Sequence, residues 1–276
     1  MANDLRLEFA ARTDTGRVRQ QNEDCIAVSP SHGFAVLADG MGGYSAGEVA
    51  SSMAAEVVRV ALEQELVPRG VEERVPREAP MRPVGQVLND AIQMANTAIL
   101  EAASAEAGHA GMGTTIIVAV FGNHAVTIAH VGDSRAYRLR RGELVQLTRD
   151  HSLLQEQIDA GLVHPEWARF AQNKNLVTRA VGVGPDMEVE ENTYSTEPGD
   201  TFLLCSDGLS DMLTHAEILT ALSEHESSLE EACNVLIELA NANGGYDNIS
   251  VILMREGQSA IEDEPSLLGR IRKWIS

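Results

Sequence analysis

The chain predicts an α+β fold in which strands and helices are segregated into layers. Strand-like runs fall at residues 5–11, at 24–39, repeatedly between 114 and 150, and again in DTFLLCSD and NISVILMR. Helical spacing of apolar residues is confined to two blocks, one in the first 107 residues and one at 228–242. A regular alternation of strand and helix, which would build a parallel sheet, is absent. One domain over 1–256 and a short tail over 257–276 are expected from the 276-residue length.

The elements follow in order. LRLEFAA and CIAVSPSHGFAVLAD read as strands, the second folded at SPSHG into a hairpin that ends at Asp39. Ser45-Ala46-Gly47-Glu48 has the capping-box pattern, in which Ser45 accepts from a free amide and Glu48 reaches back, and the helix continues through VASSMAAEVVRVALEQEL. Four prolines between Pro68 and Pro83 mark an exposed connection to a second amphipathic helix, QVLNDAIQMANTAILEAASAEA, which should lie beside the first. TTIIVAVF, HAVTIAHV, SRAYRLRR and ELVQLTRD then predict one antiparallel meander. The segment His151 to Asn175 interrupts it as an insertion over one edge, with a short helix stopped at Gly161.

Composition narrows the function. With 21 basic and 41 acidic residues the formal charge is −20, which disfavours nucleic acid and anionic membrane as partners. Cys25, Cys205 and Cys233 cannot make a full disulfide set and suit a reducing cytoplasm. No signal-peptide core and no run of membrane-spanning length is present in the sequence.

The informative pattern is four aspartates placed where apolar runs give way to glycine-rich or polar turns: Asp39 in FAVLADGMGG, Asp133 in IAHVGDSRA, Asp207 in FLLCSDGLSD and Asp247 in NGGYDNIS. Carboxylates without a histidine or cysteine cluster select magnesium, manganese or calcium over zinc or copper. A single Asp-Gly is a common turn, but Asp39, Asp207 and Asp247 at three neighbouring strand ends could converge on two divalent ions. A hydroxide held between metals about 3.5 to 4 Å apart is poised for in-line attack on phosphorus. Arg19, upstream of Asn22-Glu23-Asp24, is the candidate to bind the phosphate through its planar fork.

VRQQNED (18–24), LADGMGG (37–43), GMGTT (111–115), HVGDSRAYR (130–138), LTRDHS (147–152), CSDGLSD (205–211) and GYDNIS (245–250) resemble, in order, the motifs of the metal-dependent serine/threonine protein phosphatases of the PPM, or protein phosphatase 2C, family. The resemblance runs from about Ala11 to Arg255. It implies an α-β-β-α four-layer sandwich of two antiparallel sheets between helices, with two Mn2+ or Mg2+ ions at one end. It implies Asp39 as the ligand bridging both ions, the Gly40 carbonyl on the first, and Asp207 and Asp247 on the second. Glu23 would orient a water, Arg19 would grip the substrate phosphate, and Asp133 with Asp207 would hold a third, weaker ion. The implied activity is hydrolysis of phosphoserine and phosphothreonine in proteins by direct attack of the bridging water. The expected setting is the cytoplasm of a bacterium, with a monomer opposing a cognate serine/threonine kinase.

Met41 stands where many eukaryotic members carry a histidine proposed as general acid, and a thioether donates no proton, so that role is unassigned. Alone, Glu23 and Asp24 read as solvated turn charges; the motif moves Glu23 to the site more firmly than Asp24. Among eight histidines only His151 merits attention, and Arg135, Arg138, Arg140, Arg141 and Arg149 read as a solvated basic hairpin. The tail SLLGRIRKWIS is amphipathic if helical and suits docking on the domain first, with a partner or a weak membrane contact as the alternatives. A cysteine phosphatase is excluded, because the residues six places after Cys25, Cys205 and Cys233 are Ser31, Asp211 and Leu239 instead of arginine. The alternative is a catalytically silent PPM-like module that binds phosphoproteins; it would lack acidic ligand positions, and here all are acidic.

Overall fold

Alternation along the strands decides what fills each layer of the molecule. In the computed structural model, which describes residues 7–43, 46–68, 82–122, 124–164, 167 and 176–256, two antiparallel sheets lie face to face. The first runs β1 (Leu7–Asp14), β11 (Ile249–Glu256), β10 (Thr201–Cys205), β7 (Arg135–Arg140) and β8 (Glu143–Gln146) in spatial order. The second runs β2 (Asp24–Ser29), β3 (Phe34–Met41), β5 (Ile116–Phe121), β6 (Ala125–Val131) and β9 (Glu190–Ser195), with β4 (Gly113–Thr114) paired to the end of β3. Ala35, Leu37, Ile117 and Ala119 from one sheet meet Phe202, Leu204, Ile252 and Met254 from the other, all buried. Phe121 and Phe202 meet edge to face at 5.5 Å between ring centroids.

The intervening residues point outward to helices. Phe34, Val36, Ala38, Ile116 and Val118 pack against α1 (Ala46–Glu65) and α2 (Val84–Ala105), which lie side by side. Leu203, Cys205, Val251 and Leu253 pack against α4 (Asp207–Ser210), α5 (His215–Glu224) and α6 (Leu229–Ala242). Because the strands are buried on both faces, they read as apolar runs instead of a strict alternation. Helix–sheet–sheet–helix is therefore the order of layers, as expected. Among the described residues no helix is long and apolar enough to cross a membrane.

Several expectations need correction. The meander is two hairpins in different sheets: β5–β6 belongs to the second sheet and β7–β8 to the first, and the chain changes sheet at Gly132–Ser134. Asp39 lies inside β3, which continues to Met41 through pairing with β4. β9 and α5 were not anticipated. β9 is exposed on most of its residues and so lacks an apolar run, whereas α5 carries a complete Thr214–Glu217 capping box that was open to reading. The arginine ribbon is solvated only in part: Arg141 and Arg149 are exposed as expected, whereas Arg135 pairs with the buried Asp150 and Arg140 with the buried Asp200. The short helix before Gly161 is α3 (Leu153–Asp159), capped by Ser152, whose side chain accepts from Gln155 N. Ser45 of the expected capping box, residues 69–81 of the proline-rich connection, most of 165–175 and the tail 257–276 lie outside the described residues.

Candidate active site

The β2–β3 hairpin sets two carboxylates side by side, because Asp24 and Asp39 are direct partners in its antiparallel register. Asp39 is held by its backbone. Its carbonyl accepts from Thr115 N at 2.8 Å and from Thr114 Oγ1 at 2.8 Å, and its amide donates to Thr115 Oγ1 at 3.2 Å. The two threonines of GMGTT thus anchor the strand and leave the Asp39 carboxylate to face the cleft. Gly40 follows, with its amide on Glu23 O at 3.1 Å. A Cβ at Gly40 would stand 2.2 Å from Gly47 O, so only glycine lets α1 and the Glu23 turn close on this point.

The other sheet supplies the opposite wall. β10 ends in Cys205, and Ser206 precedes the short α4, whose first residue is Asp207, without capping it through its side chain. Ser206 Oγ donates to Asp24 Oδ2 at 2.9 Å and accepts from Ser250 N at 3.0 Å, which ties β2, β10 and β11 together behind the carboxylates. Asp247 precedes β11; its Oδ1 accepts from Asn248 N at 2.8 Å and its Oδ2 from Arg19 at 2.7 Å. Asn248 turns toward the Arg19 loop, donating to Thr15 O at 3.0 Å and Gln21 O at 2.9 Å while accepting from Glu23 N at 2.7 Å. Asp133 arrives from the crossover between the sheets and is buried.

The electrostatics are those of an anion cluster. Burial, then the charges of Asp24, Asp207, Asp133 and Asp247, raise the pKa of Asp39 well above the ordinary carboxylate value. Burial and Asp133, Asp247, Asp211 and Asp24 do the same to Asp207. Asp133 is pushed up to about 6, by burial first and then by Asp150. Asp24 is also pushed up to about 6 by burial, although Ser250 and Ser206 work against the shift. Glu23 is raised by burial, opposed by Arg19.

Carboxylates so arranged suit divalent cations. The donor set is all oxygen, the groups raise one another's pKa, and Asp24 Oδ1 is buried without a hydrogen-bond partner among the described residues. Asp133 and Asp247 lie close enough to Asp39 and Asp207 to raise their pKa, and an all-oxygen carboxylate set of this kind matches the preference of hard divalent cations.

All the residues expected at the site therefore come to one end of the sandwich: Arg19, Glu23, Asp39, Gly40, Asp133, Asp207 and Asp247. Asp24 and Asn248 were not expected to organise it, whereas the Thr114–Thr115 pair has the supporting hydrogen-bonding role its strand position suggests. For Asp24 the available signal was hairpin register, which sets it opposite Asp39 once SPSHG is taken as the turn. Met41 lies beside Gly113 and contributes no ionisable group.

An acidic cleft for divalent ions at the end of a helix-flanked double sheet defines a metallohydrolase class. The protein phosphatase 2C family model matches residues 14–243, and the chain belongs to that family. It is 38% identical over 264 residues to the "Serine/threonine phosphatase stp" of Listeria welshimeri, covering 93% of this chain and all of the relative. It is 37% identical over 249 residues to the "Serine/threonine protein phosphatase PstP" of Mycobacterium tuberculosis, covering 90% of this chain and 45% of the relative. A crystal structure of that phosphatase superposes with a TM-score of 0.80 at 36% identity, covering 90% of this chain and 97% of the solved chain. Another, of the catalytic domain of a serine/threonine protein phosphatase PstP in complex with two manganese ions, gives 0.75 at 37% identity, with coverage of 90% and 97%.

Proposed function

We propose that this chain hydrolyses phosphoserine and phosphothreonine in proteins with two Mn2+ or Mg2+ ions, and that a third binds weakly at Asp133 and Asp207. The observation that carries the reading is the convergence of Asp39, Asp207, Asp247 and Asp133, drawn from both sheets, into one mutually repelling cluster. Asp39 would bridge the two ions with the Gly40 carbonyl beside it, and Asp207 and Asp247 would complete the second. When bound, the cations neutralise the phosphoryl oxygens and acidify water next to the phosphorus.

The chain's own groups do the rest. Arg19 is half exposed at the mouth and holds Asp247 through one nitrogen, which leaves the other donors of its fork for a phosphate. Glu23 has its backbone fixed at both ends, its amide by Asn248 and its carbonyl by Gly40, and its carboxylate would orient a water. Met41 donates no proton, and the proton for the leaving oxygen must come from another group. The full set of acidic positions favours the enzyme over a silent phosphoprotein-binding module.

Phosphorylated proteins are the proposed substrates, with a cognate serine/threonine kinase opposed by a monomer in the cytoplasm. The charge of −20 makes nucleic acid a poor partner. The domain is proposed to end near residue 256, with 257–276 as an appended tail. Hydrolysis of a phosphothreonine peptide tests the reading with Mn2+, with chelator and with Asp39→Asn. A wild-type protein inactive with metal, or an Asp39→Asn variant at full rate, overturns it.

A further inference from the structure

The segment 147–151 runs beside the sheet crossover and is bonded to it at almost every step. Leu147 N donates to Ala136 O at 2.7 Å and Ala136 N to Thr148 Oγ1 at 3.0 Å. Arg135 grips Asp150 through two nitrogens, and His130 Nε2 donates to Arg149 O at 2.9 Å. His151 closes the series twice over. Its backbone N donates to Gly132 O at 2.9 Å, and its ring Nδ1 accepts from Gly132 N at 3.1 Å. Gly132 immediately precedes Asp133. Its φ of +110° and a Cβ that would lie 2.6 Å from Thr115 keep any side chain out of this turn, so the turn must be held from outside.

The same histidine stands at the root of the insertion. Its carbonyl accepts from Thr178 N at 2.8 Å, Leu153 N donates to Leu176 O at 2.9 Å, and Ser152 bridges to Val177. Because Nδ1 accepts, the ring proton sits on Nε2, 3.3 Å from Glu190 Oε2 on β9. Burial, then His130, hold the His151 pKa down to about 4, so the ring is neutral at pH 7. His130, His151 and Glu190 place potential ligand atoms within 4.8 Å of one another, but they do not form a cation site. Both bonded imidazole nitrogens are engaged, and rings stacked within 15° of parallel do not aim lone pairs at one point.

We propose that His151 is a positioning residue whose imidazole latches the Gly132 amide, and with it the Asp133 carboxylate, to the base of the segment between residues 151 and 178. The role of Asp133 rests on the phosphatase reading; the latch itself does not.

Three substitutions separate the two ends of the ring. His151→Asn puts a carbonyl oxygen where Nδ1 stands and is too short for Glu190; His151→Gln reaches Glu190 and leaves Gly132 N–H without an acceptor; His151→Ala removes both. Gly132 amide exchange by NMR and Mn2+ titration by calorimetry are measured beside turnover of a phosphothreonine peptide. The expected result is Gly132 protection and Mn2+ dependence within about twofold of wild type for Asn, against loss of protection by about tenfold for Gln and Ala, with a several-fold higher Mn2+ requirement. KM at saturating Mn2+ should be unchanged. The proposal is overturned if the Gln variant keeps Gly132 protection, or if the Asn variant loses as much as the Gln variant. Should the alanine variant not fold, the Asn–Gln pair still decides. A wild type that does not turn over with Mn2+ defeats the phosphatase reading, while the exchange comparison still tests the latch.

Discussion

Arg19 donates to Asp247 Oδ2 at 2.7 Å, so the cation proposed to grip substrate already neutralises a carboxylate proposed to hold metal. Two uses of one side chain are linked by this bond. A phosphate entering the cleft would draw the guanidinium toward itself and loosen its hold on Asp247, the residue proposed to hold metal. Arg19→Ala should therefore lower kcat/KM for a phosphopeptide by about 10- to 100-fold, the value of a charge-assisted hydrogen bond, while Mn2+ still binds. Steady-state kinetics with calorimetric Mn2+ titration checks this, and abolished Mn2+ binding would refute the assigned role.

Asp207 contributes in opposite directions to activity and to metal-free stability. Burial and four neighbouring aspartates disfavour its charge. Asp207→Asn removes that charge and is expected to lower turnover by about a hundredfold or more as a metal ligand is lost, yet to raise the melting temperature in chelator. A variant that melts below wild type in chelator contradicts the repulsion described.

The cluster also sets a pH dependence. Asp24 and Asp133 are pushed up to about 6 from an ordinary 3.8, and burial with neighbouring carboxylates raises Asp39 and Asp207 as well. The native state then binds protons more tightly than the unfolded chain. The stability these groups contribute is fully present below their unfolded pKa and is lost as pH rises through 6. Metal-free protein should melt higher at pH 5 than at pH 8. Mn2+, which competes with those protons, should raise the melting temperature more at pH 8 than at pH 5. Calorimetric scans at both values, with Mn2+ and with chelator, check this; equal Mn2+ shifts would contradict it.

Asp39, Asp133 and Asp207 were legible in the sequence because each ends an apolar run, and Asp247 because an apolar run begins two residues after it. The crossover at Gly132–Ser134 was not legible, since Gly132-Asp133 between two strands reads as an ordinary hairpin turn and nothing local says that β6 and β7 belong to different sheets. Asp24 was hidden for a related reason: its partners Asp39 and Ser206 lie 15 and 182 residues away, and only tertiary pairing turns an apparent turn charge into a buried one. His151 was noticed but had no role until the insertion and the Asp133 turn were seen to meet on it.

Asn248 is the strongest remaining case of a residue that acts through others. Its side chain binds Thr15, Gln21 and Glu23, clamping the loop that carries Arg19 to the start of β11. It is itself buried, so the groups it leaves behind are poorly placed to find water. Asn248→Ala deletes three hydrogen bonds and should cost about 2 to 3 kcal/mol of stability at roughly 1 kcal/mol each. With the loop released, Arg19 and Glu23 lose their fixed approach to the cleft, while the carboxylates of Asp39, Asp207 and Asp133 keep their own supports. KM for a phosphopeptide should therefore rise by about tenfold or more while Mn2+ affinity changes less. Denaturant unfolding with parallel kinetics separates the two effects. Unchanged KM in a destabilised variant would show that the loop is held by something other than Asn248.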